Sequence, residues 1–100
     1  MLLQKTTDST TVMTFKTFAG EEIITRVAEE TETTYKLTKP LVMIATPQGG
    51  FGLAPAVFSI SPADSPVLNK SAVALYGPTD KDIANQYLAK TTGLTLATSI

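Results

Sequence analysis

Apolar and polar residues alternate with a period of two through the first third of the chain. Val12-Met13-Thr14-Phe15-Lys16-Thr17-Phe18 sets Met13 and Phe15 on one face. Glu21-Glu22-Ile23-Ile24-Thr25-Arg26-Val27 sets Ile23 and Val27 on one face, with Thr25 between them. Successive side chains of a strand point to opposite sides, so each run reads as a half-buried strand. Ala19-Gly20 separates them, and glycine takes the positive φ of a tight turn without a steric penalty. The pattern predicts a β-hairpin whose apolar face needs a partner.

A third strand follows from Thr34 to Ile44, with Tyr35 and Leu37 on one face and Lys36 on the other. Pro40 interrupts it and predicts an edge, a bulge or a sharp bend, because proline has no amide to donate. Beyond it Leu41-Val42-Met43-Ile44 is apolar on both faces and predicts cover on both. Pro47-Gln48-Gly49-Gly50 is a turn signal. The fourth strand runs over 52–60 with Pro55 in its middle. The fifth covers about 68–76, with Val73 and Leu75 on one face, and ends at Gly77-Pro78.

After Pro78 the period changes. Ile83, Ala84, Tyr87 and Leu88 recur at helical spacing and predict a helix over 79–92. Thr79 is its expected cap, with Asp82 reaching back, and Gly93 is its expected stop. The run 28–33 reads as a solvated acidic connection and 61–66 as a second connection. Residues 1–11 read as a mobile arm and 94–100 as a tail, leaving one domain over 12–93. The expected class is all-β: a small, strongly bent five-stranded antiparallel sheet or barrel followed by a C-terminal helix. Ile23, Val27, Leu37, Val57 and Val73 are its expected core.

Composition narrows the chemistry. One hundred residues with 43% hydrophobic content suffice for one modest core. About one residue in six is Thr, which favours pleated surfaces. The formal charge of −1 and the acidic isoelectric point exclude a broad basic surface, so any nucleic-acid contact must come from a local patch. The absence of Cys and His excludes disulfides, imidazole bases and zinc sites built on those ligands. No segment has the length of a membrane span, and the start is too short in apolar residues for a signal peptide, so a cytoplasmic location is expected.

Few residues invite a chemical role. Gly49-Gly50-Phe51-Gly52 lacks the lysine of a phosphate loop and precedes a strand, which favours a hairpin turn. Glu29, Glu30 and Glu32 form an acidic run that reads as solvated surface rather than a cation cage. Lys70 carries the best functional case, at the entry to the last strand between Asn69 and Ser71, whose polar side chains suit base edges and phosphates. The alternative is an ordinary polar turn. Tyr35 suits base stacking or, alternatively, a place in the core or an interface.

The hairpin resembles the first motif of the Sm-like (LSm) family, in which a turn glycine is followed by an apolar residue three on and another seven on. Gly20, Ile23 and Val27 fall on those places, while Thr25 replaces the family's second glycine. Asn69-Lys70-Ser71-Ala72-Val73 is similar to the bacterial host-factor branch, with Lys70 at the lysine of its Lys-His pair and Ser71 at the histidine. The chain is also similar to short Sm-like proteins of marine-phage type, which would place it in a host cytoplasm. Its helix is C-terminal, whereas the family's is N-terminal. The resemblance implies a homo-oligomeric ring of about five to seven copies, formed by pairing the fourth strand of one subunit with the fifth of the next. The edges concerned are the runs from Leu53 to Ser59 and from Ala72 to Tyr76.

Three functions follow. The first is a ring that binds single-stranded RNA or DNA through Asn69, Lys70, Ser71 and Tyr35, without cofactor, metal, membrane or catalysis. The second is an oligomeric structural or assembly protein, viral in the phage-type reading, that binds no nucleic acid. The third, an enzyme, lacks the bases and paired carboxylates that catalysis needs.

Overall fold

The computed structural model describes residues 11–57, 59–61 and 64–92. Their strands are β1 (Val12–Thr17), β2 (Glu22–Glu30), β3 (Thr34–Ala45), β4 (Phe51–Pro55), β5 (Val67–Asn69) and β6 (Val73–Pro78). A 3-10 turn, Lys70–Ala72, joins β5 to β6, and α1 (Lys81–Thr92) ends the described chain. All six strands belong to one antiparallel sheet in the order β4-β3-β2-β1-β6, with β5 paired to β3 beside that path. The all-β class with a C-terminal helix holds. The expected arm and tail lie outside the described residues, apart from Thr11, and so does Gly93.

The hairpin forms as its alternation predicts. Phe15 pairs with Ile23 and Met13 with Thr25, and Gly20 turns the chain with a φ of 105°. The second face, however, is apolar too. Phe15, Ile23, Val27, Tyr35 and Leu37 form a buried cluster on one side, joined by Met13, Leu68 and Val73. Val12, Ile24, Leu41, Leu53 and Tyr87 form another, joined by Met43, Ile83, Ala84 and Leu88. The helical stripe read from the sequence is therefore the cover of the second face.

The third strand runs unbroken through Pro40 because the chain bulges there. Ile24 pairs with Leu41 and Arg26 with Thr38, so Thr25 alone faces Lys39 and Pro40. Lys39 adopts a φ of 46°, uncommon for a residue with a Cβ. The Thr38 carbonyl at this bulge accepts hydrogen bonds from Thr25 Oγ1 at 2.9 Å and from the Tyr87 hydroxyl. Lys39 Nζ donates to the Thr91 carbonyl at 2.9 Å, satisfying an end carbonyl of α1. The bulge thus binds the helix at two points.

Several expectations change. The acidic run is not all connection: β2 extends to Glu30, with Glu29 opposite Lys36 and Glu30 opposite Tyr35. A four-residue turn at Thr31 replaces the longer link, held by Thr31 Oγ1, which lies 2.7 Å from Thr34 Oγ1 and accepts the Thr34 amide at 3.0 Å. The fourth strand stops at Pro55, so Val57 lies beyond it and is exposed. Ile44 is exposed as well: Leu41 is buried, Val42 and Met43 are half-buried, and cover ends with Met43.

The fifth expected strand is two strands, split by the 3-10 turn. It cannot stay straight, since its first part pairs with β3 and its second with β1. Val73 and Leu75 do not share a face in effect: Thr17 pairs with Val73 and Lys16 with Leu75, so Ala74 bulges out. Parity then switches, and Tyr76 rather than Leu75 follows Val73 towards Phe15. Leu75 is left 68% exposed.

The helix begins one step later than read. Asp80 Oδ2 accepts the amides of Asp82 at 3.1 Å and Ile83 at 3.4 Å, which makes Asp80 the cap. Thr79 is occupied elsewhere, its hydroxyl 2.8 Å from that of Thr14 in β1.

Candidate nucleic-acid interface

Asn69, Lys70 and Ser71 sit where β5 gives way to the 3-10 turn. The turn is anchored at both ends by backbone bonds, Lys70 N–H to Thr33 O at 2.8 Å and Phe18 N–H to Ala72 O at 3.0 Å. Asn69 and Ser71 are exposed, and the Asn69 side chain makes no capping bond to the turn. The three residues chosen from the sequence are therefore presented together by a fixed backbone.

Tyr35 joins them from below. Its position in β3 opposite Leu68 brings its ring under the lysine, with Lys70 Nζ 4.9 Å from the ring centroid. This is a cation–π contact, stronger when the ammonium is partly shielded from water. The ring of Phe15 stands 4.7 Å from that of Tyr35, centroid to centroid. Tyr35 is buried, so its ring belongs to the core and is no open stacking surface, and burial decides between the readings left open above. Near this turn, the open aromatic rings among the described residues are Tyr76, 63% exposed and in contact with Phe15, and Phe18, 76% exposed at the hairpin turn tied to Ala72.

The electrostatics differ from the reading of the whole acidic run as solvated surface. Glu30 Oε2 accepts a hydrogen bond from Lys70 Nζ at 2.6 Å, and both side chains are largely shielded, at 29% and 17% exposure. That bond holds the Lys70 ammonium above its ordinary value of 10.5, so Lys70 stays charged at neutral pH. Burial first, then the Glu30 carboxylate, pushes the Tyr35 phenol up, against the pull of Lys70. Glu29 and Glu32 are exposed. Among the described residues no group of three or more acidic side chains converges as a cation site requires.

What the sequence missed here is Glu30 as the partner of Lys70, and Tyr76. Their places depend on pairings across the sheet. A period of two carried past Val27 points to Glu29, but a bulge between Val27 and Glu29 shifts the register and sets Glu30 opposite Tyr35 instead, so the sequence held no local signal for it. No protein-family model matches the chain, and a search of curated proteins returns no match.

Proposed function

We propose that this chain is a non-catalytic, ring-forming protein of Sm-like type that binds single-stranded RNA or DNA along the Asn69-Lys70-Ser71 turn. The observation that carries the reading is the turn itself: an anchored backbone presents two exposed polar side chains beside a charged lysine. Such a set suits phosphate and base-edge contacts. Two further features support assembly. The sheet path ends in β4 and β6, each paired on one side only among the described residues. Phe51 on the first edge and Leu75 and Tyr76 on the second are more than 60% exposed. Unpaired apolar edges are templates for further pairing, and pairing unlike edges propagates until it closes. A ring repeats a weak contact several times, and affinity rises through effective concentration.

A second reading, an assembly protein without nucleic acid, draws on the Glu30 carboxylate that already neutralises Lys70. Binding of wild type and Lys70→Ala to a uridine-rich oligomer across a salt series separates the two. The proposal expects a loss well beyond one contact in Lys70→Ala and a flatter salt slope, because each subunit releases fewer counterions. Absence of binding by wild type at low salt gives the second reading its case.

A further inference from the structure

The sheet places three of its lysines against acids, and the three pairs are unequal. Lys16 and Glu22 are 3.6 Å apart with both side chains more than 40% exposed, so solvent screens them. Lys36 is exposed opposite Glu29. Lys70 and Glu30 are 2.6 Å apart at 29% and 17% exposure, with the Tyr35 ring beneath. Only this last pair is sheltered enough for its attraction to persist in salt. It also coincides with the turn assigned to ligand binding.

Resting on that assignment, we propose that Glu30 is a built-in competitor for Lys70, which a phosphate of the bound strand must displace. An ammonium has three N–H donors and no acceptor. In Lys70 one points to Glu30 and the cation lies over Tyr35, so an incoming phosphate approaches from the exposed side. There it meets the lysine and, beside it, a carboxylate of its own sign. Part of the lysine's attraction is cancelled while Glu30 stays bound. Full contact forms when Lys70 exchanges one anion for the other. Among the groups that face Glu30 are Lys70 from the turn and Tyr35 from β3, and both Lys70 and Tyr35 also sense Tyr76 from β6. Of these it is Lys70 that a phosphate would contact, so the exchange is read at Lys70. The site consequently favours a strand that offers several phosphates in succession over a lone anion, because a ring of such exchanges succeeds collectively.

The test is Glu30→Gln, which keeps an oxygen able to accept the Lys70 hydrogen bond and removes the charge. Wild type, Glu30→Gln, Lys70→Ala and the double variant are titrated with a fluorescent uridine-rich oligomer over a salt series. Circular dichroism and solution mass confirm that each is folded and assembled alike. The expected result is at least a tenfold tighter complex for Glu30→Gln, with a steeper salt slope, and loss of that gain in the double variant. Binding seen only in Glu30→Gln upholds Glu30 as the competitor and overturns strand binding by the wild type. Glu30→Asp, with a shorter side chain, serves if the glutamine variant does not fold, and is expected to fall between wild type and glutamine. Equal or weaker binding by Glu30→Gln, while Lys70→Ala still costs affinity, overturns the competitor and leaves the functional reading standing. No binding by any variant overturns both.

Discussion

At the scale of single residues, the Thr38 carbonyl joins the sheet to the helix. A bulge exposes it, and it is then claimed by Thr25 from the neighbouring strand and Tyr87 from the helix. Tyr87 is completely buried, as is Thr25. Losing one donor leaves the other, so Tyr87→Phe or Thr25→Val alone should cost about 1 kcal/mol. Together they strand a buried carbonyl, and the double variant should lose more than the sum, by about 1 kcal/mol. Urea unfolding of the four proteins measures this coupling. Simple additivity would show that the two hydroxyls act independently. Lys70 gives a prediction in pH. Its folded value is raised by Glu30, so its stabilising share is complete below 10.5 and declines as pH rises through the folded value. The stability gap between wild type and Lys70→Met should therefore narrow in strongly alkaline solution and stay flat between pH 7 and 9.

At the scale of elements, the sequence was most informative where the cause is local. The hairpin is written in the alternation around Gly20, and the helix in the spacing of Ile83, Ala84, Tyr87 and Leu88. It was least informative where partners are remote. Thr79 resembles a helix cap until its hydroxyl meets Thr14, 65 positions away, and Asp80 takes the task. Glu30 reads as loop surface because its partner Lys70 lies 40 positions on. Pro55, opposite Leu41, marks a strand end rather than a bend within one, although β3 itself continues to Thr34. The candidate turn was legible as residues, and its electrostatics were not. The cap assignment is testable: Asp80→Ala should cost about 1 kcal/mol of stability, the usual effect of a lost cap. Thr79→Ala should leave the helix amides satisfied. The reverse ranking in thermal unfolding would restore Thr79 as cap.

At the scale of the whole molecule, the two sheet edges unpaired among the described residues are where assembly is tested. Leu75 on β6 and Phe51 on β4 are apolar and exposed, and a lysine placed on an edge opposes pairing. Under the proposed assembly, Leu75→Lys should lower the mass seen by light scattering while the circular dichroism spectrum is retained. An unchanged mass would remove β6 from the interface.

The 3-10 turn has one more consequence. Its first bond ties the chain to Thr33, beside β3, and its last ties it to Phe18, beside β1. The turn therefore straps together two sides of the sheet. A molecule that grips this turn also grips both sides, so occupancy and folding share one equilibrium. Any strand bound at Lys70 should act as a thermal stabiliser, adding about 2.7 kcal/mol at a hundred times its dissociation constant. For a chain this small that is a shift of roughly ten degrees or more in melting temperature. Recognition can then be read from heat alone, without a label on either molecule.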